Sequence, residues 1–116
     1  MDGKMPQVLQ QQTDQYSATA YASLLKVRVL SRTAGSLVIK NQHATATLKY
    51  KILVSNDPQG GANTWAEEKA EATLAGAAIP VRVVLTGPFV WVDVQIASNG
   101  AGESPQGSAW FLAVGL

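Results

Sequence analysis

His43 is the single histidine of this 116-residue chain and the first place to look for chemistry. A general base needs a nucleophile within reach and a carboxylate to orient the ring. Asp57 and Asp93 are the carboxylates that an enzyme reading would enlist. His43 sits in the polar stretch Asn41-Gln42-His43-Ala44, and no G-x-S-x-G elbow or H-E-x-x-H helix accompanies it. A solvated turn histidine is the better reading. With no cysteine, disulfides, thiolate zinc sites and cysteine nucleophiles are excluded. Asn56, Asp57 and Asn63 could offer oxygens to calcium, but their spacing is not that of an EF-hand loop, and an Asx-type turn explains them. Gly60-Gly61 leads into no G-K-S/T, so no phosphate loop is indicated. Glu67, Glu68 and Glu71 read as a solvated acidic patch, since a catalytic carboxylate pair would need a cleft. The expectation is a non-enzymatic protein with no cofactor and no metal site.

The aromatic residues are the other candidates. Trp65, Trp91 and Trp110, with Tyr16, Tyr21 and Tyr50, could make a platform for sugar rings. Large rings carrying one polar atom more often anchor cores and interfaces. Trp91 stands out because it alternates out of phase with Val90, Val92, Val94 and Ile96, which places it beneath a neighbouring loop or in a subunit interface. Trp91→Ala is therefore expected to weaken assembly more than folding. The interface candidates are Val8, Leu9, Tyr16, Tyr21, Trp65 and Trp91.

Any such residues must be positioned by strands. Leu48, Tyr50, Ile52 and Val54 alternate with Lys49, Lys51 and Ser55, the period of a half-buried strand, and Asn56-Asp57-Pro58-Gln59-Gly60-Gly61 ends it. Leu24–Leu30 alternates with Leu25, Val27 and Val29 inward, and Ser36–Lys40 follows the turn Arg32-Thr33-Ala34-Gly35. Ile79, Val81, Val83 and Leu85 share one face of another strand, with Pro80 marking its start or an edge. Phe89–Ala97 and Ala109–Val114 complete the set, separated by a breaker-rich loop over 98–107. Residues 65–75 are ambiguous. Thr64 and Glu67 make a capping box and alanine is abundant, yet Lys69–Leu74 also alternates, and pairing in an all-β chain can override propensity. Strand is preferred there. The fold expected is all-β: one antiparallel β-sandwich, jelly-roll or immunoglobulin-like.

Residues 1–22 differ in composition. Glutamine, serine and threonine dominate, which suits a frayed tail or an extended arm crossing a neighbouring subunit. The division expected is an arm over 1–22 and a sandwich over 23–116. Hydrophobic residues make up 47% and charged residues 15% of the chain, so solubility rests on uncharged polar groups, as suits a protein packed against others. The formal charge is +1, and Lys26, Arg28, Lys49 and Lys51 form no block in the sequence. Nucleic acid is therefore not an expected partner. Neither an apolar leader at Met1–Pro6 nor a membrane-spanning run is present, so synthesis in a cytoplasm without membrane contact is expected.

The segments Leu48–Asp57, Trp65, Ala70–Gly76 and Val90–Ser98 together resemble small β-sandwich structural proteins of tailed bacteriophages. There, a K-Y-K-I strand precedes a tryptophan-bearing segment, and a valine-rich strand precedes a Gly/Ser loop. The resemblance covers about residues 24–114, the part that carries the strand pattern. It implies a virion protein, made in the host cytoplasm, that self-assembles (a trimer being favoured) and docks on other virion proteins such as the major capsid protein. Capsid decoration is the first expectation. A tail- or fibre-associated module that binds a receptor or glycan is the second.

Overall fold

A computed structural model describes residues 7–29, 34–86 and 89–115. Eight strands follow one another: β1 (Gln7–Tyr16), β2 (Ala22–Arg28), β3 (Ala34–Asn41), β4 (Leu48–Ser55), β5 (Trp65–Leu74), β6 (Val81–Thr86), β7 (Trp91–Ser98) and β8 (Gln106–Gly115). They form two antiparallel sheets, β1-β8-β3-β6 (sheet A) and β2-β7-β4-β5 (sheet B). Successive strands cross from one sheet to the other, except β4 and β5, which pair within sheet B; this strand order is that of a jelly roll, one of the two sandwich types expected.

The alternation read from the sequence places the core. Leu25, Val27, Leu48, Tyr50, Ile52, Val92, Val94 and Ile96 line the inner face of sheet B, and Leu37, Ile39, Leu85, Ala109, Phe111 and Ala113 that of sheet A. Residues 65–74 are strand, not helix. Their ladder runs from Ser55↔Trp65 to Leu48↔Leu74, with irregularities that let Ala66, Ala72 and Leu74 pair with inward residues of β4. The ladder bonds of β4 outweigh the capping box, because a helix here would leave one edge of β4 open.

Several boundaries differ from expectation: β2 starts at Ala22 rather than Leu24 and ends at Arg28, β7 starts at Trp91 rather than Phe89, and β8 starts at Gln106, inside the loop expected over 98–107. Ala34 and Gly35, read as part of a turn, open β3 instead. Ile79, read as sharing a strand face with Val81, Val83 and Leu85, lies before β6 and is 84% exposed. Most of the expected arm belongs to the sheet of its own chain, since Gln7–Tyr16 pairs along its whole length with β8, from Gln7↔Gly115 to Tyr16↔Gln106. A ladder needs backbone groups rather than apolar side chains, so a glutamine-rich segment can close the open edge of β8. Ser17 holds the end of β1 in place: its N–H and Oγ both donate to the Pro105 carbonyl, and its own carbonyl accepts from Ser104 Oγ.

Candidate functional site

The two loops that carried the catalytic candidates lie at opposite ends of β4, and each is occupied with holding itself. At one end, His43 Nδ1 accepts the backbone N–H groups of Thr45 (3.0 Å) and Ala46 (2.8 Å), so the ring is engaged in closing its own turn. Buried Asn41 donates to the Ala46 and Leu74 carbonyls and accepts the His43 N–H, tying this turn to the end of β5. Gly76 packs so closely on Thr45 that a Cβ would stand 2.5 Å from its backbone. A shallow cleft of about 440 Å³ opens beside His43, walled by Lys40, Asn41, Ile79 and Pro80, and neither Asp57 nor Asp93 reaches it. The cleft therefore brings no carboxylate to the imidazole.

At the other end, Asp57 accepts the N–H groups of Gly61 (2.8 Å) and Gln59 (3.3 Å), an Asx-type turn as read from the sequence. Two indoles clamp this loop. Trp65 Nε1 donates to the Gly60 carbonyl (3.2 Å) and Trp91 Nε1 to the Pro58 carbonyl (3.1 Å). Gly60 has φ +62°, and a Cβ there would meet Trp91 Nε1 at 3.3 Å, so both the backbone and the rings demand glycine. Trp91 thus sits beneath a loop, one of the two places its phase allowed.

Pairing in the fold gathers residues that looked scattered. Lys26, Arg28, Lys49 and Lys51 all lie on the outer face of sheet B, among Tyr21, Trp65 and Trp91. Lys26 Nζ lies 5.2 Å from the Trp65 ring centroid, and Lys51 and Lys49 lie 4.4 Å and 5.6 Å from that of Tyr21. Tyr21 Oη donates to Glu71 (2.7 Å), which also meets Lys49 Nζ at 3.4 Å. Burial, then the Glu71 bond and its charge, hold the Tyr21 hydroxyl well above its ordinary pKa. The Tyr21 bond first, then Lys49, hold the Glu71 carboxyl below its ordinary value. Buried Asp93 accepts from Ser23 Oγ (2.7 Å) and Gln95 Nε2 (2.9 Å). Basic groups and rings are interleaved here after all, and the acids Glu71 and Asp93 share the face.

The outer face of sheet A is different. Of the large apolar side chains exposed among the described residues, Tyr16, Val84, Trp110 and Leu112 lie on this face, and Ile79 leads into its edge strand. Tyr16 is among the interface candidates and Trp110 among the rings weighed for a sugar platform, whereas Val84, Leu112 and Ile79 were missed. Val8 and Leu9 join β1 opposite Val114 and Ala113. The missed signal was the unbroken apolar run Ala109–Val114: a strand apolar on both faces expects cover on both. Among the described residues, no group of three or more His, Cys, Asp or Glu could hold a metal.

No protein-family model matches the chain, and comparison with curated proteins finds no match. Solved structures do share the fold. A Bacillus endospore appendage protein, from a family of disulfide-linked pili, superposes with a TM-score of 0.62 at 14% identity, covering 96% of this chain and 89% of that one. The SPBc2 prophage-derived protein YomS gives 0.54 at 10% identity, with 98% of each chain covered. A chain from the infectious bursal disease virus Gx strain gives 0.53 at 17% identity; 97% of this chain is covered but only 32% of the viral one. At such identities the likeness is one of fold.

Proposed function

We propose that this chain is a non-enzymatic structural protein of a tailed-phage virion, a capsid decoration protein that self-assembles and docks on the major capsid protein. The observation that carries this reading is the exposed apolar outer face of sheet A, on a sandwich whose two loops flanking β4 are engaged in holding their own turns. An apolar patch that spans neighbouring strands marks a protein contact more readily than a small-molecule site. The sequence resemblance to phage sandwiches, and a fold shared with pilus, viral and prophage proteins, support the same role.

The test is co-sedimentation of purified protein with capsids assembled without it. Saturable binding at a fixed ratio to capsid subunits supports decoration. Failure to bind capsids while binding purified tails, or a defined glycan, would replace decoration with the tail- or fibre-module reading. That second reading draws on the half-buried rings of Trp65, Trp91 and Tyr21 on the outer face of sheet B.

A further inference from the structure

We infer that the outer face of sheet A is a two-fold contact with a second copy of this chain. The inference rests on the assembly reading above and names one of its surfaces. Register sets out the face in rows across the sheet. Asp14, Ser108 and Lys40 form one row, Trp110, Val38 and Arg82 the next, and Leu112, Ser36 and Val84 the third. The apolar positions lie toward the middle and the β6 edge, with Val84 57%, Leu112 38% and Trp110 36% exposed. The charges are sorted by edge. Asp14 is on β1, while Lys40 and Arg82 are on β3 and β6, at the other side of the sheet.

That sorting identifies the occupant. Contact about a two-fold axis requires a self-complementary patch. Place the axis along the strand direction, between β8 and β3. One copy's β1 then lies over β6 of the second, and its β8 over β3. Trp110 meets Val38 of the second copy, Leu112 meets Ser36, and Asp14 comes to the edge that carries Lys40 and Arg82. Two sheet faces pack in this way, with strands nearly aligned and about 10 Å between layers. A partner of one charge sign would match one edge and be repelled by the other, whereas a second copy matches both.

The experiment is the solution mass of the full chain by light scattering over a concentration series, with melting of each variant as a check on folding. The expected result is a dimer. Leu112→Lys and Val84→Lys, both at exposed positions, should weaken it by about a hundredfold while remaining folded. Arg82→Glu should weaken it by about tenfold, and Arg82→Glu with Asp14→Lys should recover most of that loss. Lys51→Glu, on sheet B, should leave it unchanged. A monomer, a trimer, or a dimer indifferent to both lysine variants would overturn the inference. A monomer that still co-sediments with capsids would overturn it and leave decoration standing, and a dimer that ignores capsids would do the reverse.

Discussion

The outer faces of the two sheets share one sandwich and treat their exposed side chains in opposite ways. On sheet B the large rings and the long cations satisfy one another: indoles donate to loop carbonyls, ammonium groups lie over rings, and Tyr21 and Lys49 share Glu71. On sheet A, Trp110, Leu112 and Val84 are left facing solvent across three strands. Exposed aromatic residues are therefore not equivalent as interface candidates. A ring whose N–H is already bonded and whose face already carries a cation has less to gain from a partner than a bare one.

Substitutions can break this contrast, beginning where the effect should be largest. Asp93→Ala, on the closed face, orphans Ser23 Oγ and the Gln95 amide and should cost about 3 kcal/mol in urea unfolding. A loss below about 1 kcal/mol would mean that the network does not stabilise sheet B. Trp91→Ala uncovers the 56–64 loop and should cost about 2 kcal/mol, with oligomer mass unchanged. An altered mass with unchanged melting would return Trp91 to the interface, where its phase in the sequence also allowed it. Gly60→Ala should cost about 1 kcal/mol through its positive φ and the adjacent indole, readable as a shift in tryptophan emission.

Titration gives the mildest probe of the same face. The Glu71 carboxyl is depressed, so its contribution to stability is present above the ordinary carboxylate range and fades as pH falls through its lowered folded value. The Tyr21 hydroxyl is raised, so its contribution is full below the ordinary tyrosine value and fades as pH rises beyond it. Burial raises Tyr50 in the same direction. An ultraviolet pH titration should find both Tyr21 and Tyr50 still protonated at about pH 10, the ordinary midpoint. Glu71→Gln should bring the Tyr21 midpoint down, and an unmoved midpoint would show that the Tyr21–Glu71 bond does not persist in solution.

Much of the frame is legible in the sequence. The two-residue period of Leu48–Val54 and Val92–Ile96 assigns inner and outer faces, because successive side chains on a strand point to opposite sides. Asp57 and the paired glycines mark their turn through local bonding that needs no distant partner. His43 was rightly placed in a polar turn, although its role as acceptor for two backbone N–H groups could not be read from residue types.

Other features depend on contacts between distant segments. Residues 65–74 carry both a helix signal and a strand signal, and the open edge of β4 decides between them by offering ladder bonds. Gln7–Tyr16 has little apolar pattern of its own, and its place follows from the edge of β8, at the far end of the sequence. The grouping of four basic residues with three aromatic ones exists only once β2, β7, β4 and β5 lie side by side. Residue types and local spacing settle which side of each strand is apolar. The ladder alone settles which strands are neighbours, and so which exposed side chains find partners within the chain and which are left for another molecule.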